Sequence, residues 1–378
     1  MAGDQLARVA LTLLVFARTG SALLAALTFA ASVVPTFVGG LTLSGLADRF
    51  PRRKVMIVCD VSRAALVAIM ALPGLPIALM VGLLCVVTMI GAPFTSARAA
   101  LYPDILAGDR YVLGTAVTLT TLQFAQVIGF AAGGVVVGFF GVRTSLLADA
   151  ATFLFSAVIT GSLVQSRPAA RAQDRELTGS RLGDLASGLR LVFGDPKLRI
   201  PMLLGWLVAF YNVPEGVVAP LSRSLGGGAV AAGLLLAAGA FGASIGAVTF
   251  SRLVRPARRL RLMAPLAATA CGVLILFAFR PALPAALAIL TIGGIFDCYQ
   301  LAANAAFVTA APAGQRSQAF GIAQGGMSLG QGLAMILAGA AAQSLPPSLV
   351  IAISGVIGVI VATLVAWTRS AASLFVER

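Results

Sequence analysis

The chain has 378 residues, of which 59% are apolar and only 11% charged, against about 25% charged in a soluble globular domain. With a mean hydropathy of +0.98, this composition excludes an ordinary soluble domain and points to a polytopic membrane protein. The formal charge of +14 does not imply a nucleic-acid partner, because nearly all Lys and Arg lie in short segments between apolar runs, where membrane topology accounts for them.

The apolar runs lack the alternation of a barrel strand, so the bilayer leaves helices as the way to satisfy the backbone. The fold class is therefore an all-α membrane protein. Cys59, Cys85, Cys271 and Cys298 fall in or beside apolar runs without a C-x-x-C pair, and are read as packing residues, with no disulfide, metal or cofactor. There is no histidine, so any proton chemistry falls to carboxylates.

In chain order, residues 1–18 read as the outer part of a first helix, too short to span alone, with Asp4 and Arg8 at i, i+4. Helix 2 is expected at about 22–44, helix 3 at 54–73, helix 4 at 76–97, helix 5 at 112–140 and helix 6 at 144–165. A loop from Arg98 to Arg110 joins helices 4 and 5. Residues 166–198 are strongly polar, and Leu182, Leu185, Leu189 and Val192 repeat at helical spacing, which predicts an amphipathic helix on the inner membrane surface. Helices 7 to 12 follow at about 199–221, 228–251, 261–280, 283–311, 317–344 and 347–368. The expected organisation is a six-helix bundle over 1–165, a linker over 166–198, a second six-helix bundle over 199–370 and a cytoplasmic tail over 371–378.

Between helices 2 and 3 stands Ser44-Gly45-Leu46-Ala47-Asp48-Arg49-Phe50-Pro51-Arg52-Arg53-Lys54. It is a short basic turn, which places it on the cytoplasmic side. An acid, an adjacent cation and a basic run three to five residues later resemble the signature loop of the major facilitator superfamily, roughly G-x-L-A-D-R-x-G-R-R/K. Ser44 and Pro51 depart from it at the two glycines. Gly3-Asp4, Asp149-Ala150-Ala151-Thr152-Phe153 and Phe320-Gly321 look like the bacterial branch of enterobactin and macrolide exporters. Gly129-Phe130-Ala131-Ala132-Gly133-Gly134 resembles the antiporter G-P-x-x-G-G signature with Phe130 in place of proline. The resemblance implies twelve helices as two six-helix pseudo-repeats rocking about a midplane cavity. It also implies that Asp48, Arg49, Arg52 and Arg53 latch the cytoplasmic face in one state.

The second half repeats the charge pattern, with Arg252, Arg255, Arg258, Arg259 and Arg261 between helices 8 and 9, and Arg255 stands 207 positions after Asp48. Carried back from helix 7, that offset places the matching start of helix 1 about eight positions before Met1, so the first helix reads as shortened and Met1 as a doubtful start. Of 27 Lys and Arg, only Arg18, Arg143, Arg223 and Arg280 fall in outside turns and Arg8 within helix 1, with the other 22 at the inner side. This predicts both termini in the cytoplasm and residence in the cytoplasmic membrane.

Charges inside the hydrocarbon region mark candidate functional residues. Asp4 and Arg8 either neutralise each other or face the cavity. Tyr211, Asn212 and Glu215 are expected on one face of helix 7, with Pro214 breaking the helix beside them. Asp297, Gln300 and Asn304 on helix 10 form a stripe at i, i+3, i+7, and Gln123 with Gln126 a smaller one on helix 5. The glutamines suit interhelical hydrogen bonding, Asp149 reads as structural, and Asp297, Glu215 or Asp4 is the expected carrier of a coupling proton. With no nucleotide loop or metal cluster, the chain reads as a transporter and not an enzyme. The expectation is a proton-driven exporter of amphipathic, drug- or siderophore-like small molecules, with protons and the lipid bilayer as its other partners. A solute importer of the same fold and a truncated member that does not transport are the alternatives.

Overall fold

The computed structural model describes residues 2–43, 46–105, 109–165, 181–312 and 315–376. The expected linker over 166–180, the departure at Ser44 and the last two residues of the tail lie outside the described residues, as does the side chain of Asp48. Among the described residues every regular element is helical. They are α1 (Ala2–Thr19), α2 (Ala22–Ala30), α3 (Val34–Leu43), α4 (Leu46–Arg49), α5 (Arg52–Met70), α6 (Ile77–Ile105), α7 (Asp109–Leu163), α8 (Arg181–Gly194), α9 (Pro196–Trp206), α10 (Val208–Tyr211), α11 (Val213–Gly216), α12 (Val218–Ser224), α13 (Ala229–Leu253), α14 (Pro256–Val273), a 3₁₀ segment Leu274–Phe279, α15 (Leu283–Phe296), α16 (Tyr299–Ala310), α17 (Arg316–Ala341) and α18 (Pro347–Val376).

Seven of the described helical stretches are long and apolar enough to cross a bilayer, or eight if the bent pair Pro196–Gly216 and Val218–Ser224 counts as one. α1, α5 and α17 are not among them. The first two carry charges along their length, Asp4, Arg8 and Arg18 in one and Arg52, Arg53, Lys54, Asp60 and Arg63 in the other. α17 is rich in Gly and Gln. Outward faces are strongly apolar, with Phe139, Phe155, Leu163, Phe279 and Trp367 all exposed. Asp60, Arg63 and Asp149 are instead buried. Apolar outside and charge inside is the arrangement a lipid solvent favours.

Several helices depart from continuous rods, each for a local reason. α7 contains Gly141 at φ 80°, ψ 171°, a conformation that needs glycine, and it separates the expected helices 5 and 6. α2 and α3 part at 31–33, one turn before Pro35, whose ring disfavours the helical bond to Ala31. α9 to α12 break at Leu207, Asn212 and Val217 with Pro201, Pro214 and Pro220 along the way, and the last piece bends by 48°. The break expected beside Pro214 is present. Two expectations change: α6 continues to Ile105, so the loop expected from Arg98 is largely helix, and α18 runs to Val376 through most of the expected tail.

The chain divides into two compact units, Met1–Glu176 with Gly227–Ala237, and Leu177–Gly226 with Ala238–Arg378. In the first, α1 and α5 pack on α7, and α3 and α5 on α6, around Leu11, Met70, Leu146 and Phe153. Here the Gly129–Gly134 stretch finds its use. A Cβ on Gly233 would lie 2.6 Å from both Gly134 Cα and Phe130 O, so the two backbones touch with no room for a side chain. In the second unit α14 packs on α18, α15 and α16, and α16 on α9, around Tyr299, Phe250 and Met263. The expected amphipathic helix is α8, which packs on α17. Its Val192 is buried with Leu198, Met202 and Phe307, while Leu189 stays exposed.

Candidate functional site

Unit 1 holds a charge cluster around a cavity of about 160 Å³ lined by Asp4, Arg8, Ser32, Arg63, Thr88 and Asp149 among others. Asp4, in the first turn of α1, forms an ion pair with Arg63 Nη2 of α5 at 2.6 Å. The Arg63 guanidinium stacks 4.0 Å from the centre of the Phe153 ring, an attraction that a desolvated setting strengthens. Its Nη1 stands 4.0 Å from Asp60 Oδ1. Arg8 reaches across to donate to the Ser32 carbonyl at 3.4 Å, which is available because the helix is broken there. Thr88 of α6 lies 3.4 Å from the neighbouring Ala31 carbonyl. Pro35 thus opens the backbone that the polar side chains then satisfy.

The sequence placed Asp4 and Arg8 together on one helix; the fold adds a partner from 59 residues away. Asp60 and Arg63 were missed, and Arg63 is a correction to the count of inner-side cations, since it lies midway along α5 in an ion pair. The available signal was a charged i, i+3 pair inside the apolar run Val55–Leu72. Asp149, expected to be structural, lines the same cavity. It accepts from Thr152 Oγ1 at 3.3 Å, and a Cβ on Gly3 would strike both side chains.

Unit 2 holds a second cluster. The Tyr211 hydroxyl of α10 donates to Asp297 Oδ1, and Tyr211 meets Tyr299 edge to face at 6.4 Å. Gln300 Nε2 donates to the Gly205 carbonyl at 2.9 Å and to Tyr299 Oη at 3.2 Å. Gln300 and Asn304 line a cavity of about 280 Å³ with Trp206, Phe307, Phe320 and Gln324, and among the described residues no charged side chain lines it. Trp206 is held by its indole N–H to the Ala323 carbonyl at 2.9 Å.

Asp297, Gln300 and Asn304 lie along the helical stretch Leu283–Ala310. Asp297 stands at the join of α15 and α16, where the backbone of Asp297 and Cys298 stays in the helical region and Gln300 N bonds to Asp297 O at 2.9 Å. One detail of the expected arrangement is corrected: Asn212 separates two four-residue helices, so Tyr211, Asn212 and Glu215 do not share one regular helix face. Tyr211 joins Asp297, whereas the half-buried Asn212 and Glu215 line neither cavity, and the same holds for Gln123 and Gln126 on α7.

Of the expected latch, Arg49 is exposed. Arg52 Nη1 donates to Ala100 O of α6 at 2.7 Å, and Arg53 Nη2 to Gly161 O of α7. Gly161 lies in the last turn of α7, where free carbonyls and the helix dipole favour a cation, whereas Ala100 lies more than a turn before the end of α6. Among the described residues no three acid or thiol groups gather closely enough to hold a metal ion.

Helices with apolar outer faces, inner charges and a cavity in each unit define a polytopic membrane protein. The family model of the Major Facilitator Superfamily matches residues 1–296 and 216–374, and the chain belongs to that family of transporters. It is 26% identical over 352 residues to "Multidrug efflux pump Tap" of Mycolicibacterium fortuitum, covering 89% of this chain and 85% of that protein. It is 29% identical over 238 residues to "Enterobactin exporter EntS" of Salmonella choleraesuis (strain SC-B67), covering 61% of this chain and 55% of that protein. Among solved structures it resembles a bacterial homologue of the human lysosomal transporter Spinster, inward-facing and occupied, at TM-score 0.72 and 16% identity over 98% of this chain and 94% of that one.

Proposed function

We propose that this chain is a proton-driven exporter of amphipathic small molecules, embedded in the cytoplasmic membrane with both termini inside. In this reading its helices form twelve spans in two sets of six, and the protein works by alternating access. What carries it is a half-buried acid held by a polar partner in each unit, Asp4 with Arg63 in one and Asp297 with Tyr211 in the other, in a chain similar to a multidrug efflux pump and an enterobactin exporter. A carboxyl in a site that exchanges exposure between two sides can load a proton on one and release it on the other. The uncharged cavity with Trp206, Phe307 and the amides Gln300 and Asn304 suits the aromatic and polar-neutral parts of an amphiphile. Arg52 and Arg53, tied to backbone carbonyls of α6 and α7, are the fixed side of the cytoplasmic latch, with Asp48 and Arg49 on its moving side.

The test is proton release from energised inverted vesicles challenged with a panel of amphipathic compounds. Compound-dependent release is expected, and it should disappear in at least one of D4N, E215Q and D297N. Proton-driven transport that survives all three changes would overturn the coupling assignment. Uptake into the cell rather than extrusion from it would turn the reading to an importer.

A further inference from the structure

Gln300 is held from two directions. Its side-chain amide donates to the Gly205 carbonyl of α9 at 2.9 Å and to Tyr299 Oη at 3.2 Å. A primary amide has two N–H donors, so both are committed. Gln300 also lines the cavity of about 280 Å³, while Asp297, Tyr211 and Tyr299 do not. Tyr299 is fully buried and meets Tyr211 edge to face at 6.4 Å, and the two hydroxyls face each other. The Tyr211 hydroxyl in turn donates to Asp297 Oδ1. Asp297, Tyr211, Tyr299 and Gln300 thus form a row of polar groups from a half-buried acid to the cavity wall, all within unit 2.

What faces Asp297 is polar but uncharged. α10 brings the Tyr211 hydroxyl, α14 the Cys271 thiol, and the chain beside Asp297 brings Cys298 and Tyr299. α13 meets α15 through Gly242 and Gly246, and α9 brings Gly205. Among the described residues Asp297 makes no ion pair. A change in its charge is therefore answered by the hydroxyls next to it, because linked hydrogen bonds polarise and reorient one another.

We propose that Gln300 carries the protonation state of Asp297 to the cavity, with the Tyr211 and Tyr299 hydroxyls between them. With Asp297 ionised, Tyr211 donates to it and Tyr299 Oη accepts from Gln300, which matches the bonds seen. When a proton from water forms an O–H bond on Asp297, that O–H donates to Tyr211 Oη. The Tyr211 O–H then turns to Tyr299 Oη and competes with the Gln300 N–H for that oxygen. No other O–H or N–H bond breaks, and the cluster loses one negative charge. Gln300, loosened on the Tyr299 side, offers its N–H to the cavity, where it suits a ligand bearing a carbonyl or ether oxygen. The use of this signal in transport rests on the exporter reading; the relay itself does not.

The experiment is a pH titration of Trp206 emission from the purified full chain in lipid. Trp206 follows Gly205 in the chain and lines the same cavity. The other tryptophan, the exposed Trp367, is removed as W367F. In that background the emission is expected to shift through a pH transition, and D297N should abolish the shift. Q300M keeps the length of the side chain and removes both donors; Y299F removes the middle hydroxyl and leaves Gln300 its bond to Gly205. Each should lose the transition, with thermal melts identifying any variant that fails to fold. Y299F keeps its ring in place, so it carries the test where Q300M does not fold. Absence of the transition in W367F, its survival in D297N, or its survival in folded Q300M or Y299F would each overturn the proposal. The full pattern without compound-driven proton release from vesicles would leave the relay standing and remove the exporter reading instead.

Discussion

Arg63 shows how one residue ties three helices together. It reaches Asp4 on α1, approaches Asp60 on its own helix and covers Phe153 on α7. Truncating it removes the cation in contact with Asp4 and beside the buried Asp60, and breaking such a buried pair costs about 3–5 kcal/mol. R63A should therefore lower the apparent melting temperature markedly, while R49A, at an exposed cation, should change stability by less than about 1 kcal/mol. In a double-mutant cycle, D4N should recover part of the loss in R63A. Equal melting of R63A and R49A would show that the pair does not hold the helices. The same residues show what was legible. Asp4 stood out because a charge in an apolar run is costly, but nothing local to Asp4 names a partner 59 positions away. Asp60 and Arg63 carried the same signal and were hidden by treating Val55–Leu72 as a uniform span. Asp297 and Gln300 were visible from their spacing, whereas nothing in the spacing singled out Tyr299, whose contact with Tyr211 spans 88 positions of the chain.

At the scale of the element, proline and glycine decide where a helix stays straight and how near its neighbour comes. Pro214 announced its break in the sequence, because a missing N–H and a ring clash are local properties; Pro35 carries the same signal, but helix 2 is expected from the sequence to run unbroken over about 22–44. Close approach is not local, and α13 makes the difference measurable. Gly233 faces Gly134 with no room for a Cβ, while a Cβ on Gly239 of the same helix would meet nothing within 4 Å. Alanine is the better helix former by about 1 kcal/mol, so G239A should be neutral or stabilising. G233A forces two backbones apart and should destabilise by about 1–3 kcal/mol. Opposite signs in a thermal melt are the expected result, and G233A no worse than G239A would mean that the helices need no contact at that point. Gly233 and Gly239 look alike along the chain, since each is a small residue in an apolar helix, and only the packing separates them.

At the scale of the whole molecule, the question is how many helices cross the bilayer. Among the described residues composition admits seven or eight, because Thr120–Leu163 counts once although Gly141 divides it, α1 and α5 spend part of their apolar length on charges, and α17 is rich in Gly and Gln. Length does not exclude α5: its 19 residues reach about 28 Å at ~1.5 Å each, close to the hydrocarbon thickness of about 30 Å. Its interior charges also have partners, since Arg63 meets Asp4 and stacks on Phe153, so the cost of placing them at membrane depth is offset within the protein. Twelve spans then require the two ends of α5 to lie on opposite sides. Phe50 and Leu72 flank α5 and are both exposed, which makes them suitable reporters. In a background without Cys59, Cys85, Cys271 and Cys298, L72C should react with an impermeant maleimide added to intact cells. F50C, beside the basic Arg52-Arg53-Lys54 run, should react only after permeabilisation. Labelling of both from one side would mean that α5 does not cross. The ion pair of Arg63 with Asp4 would then have to be explained without a membrane around it, and the two-by-six arrangement would fall with that crossing.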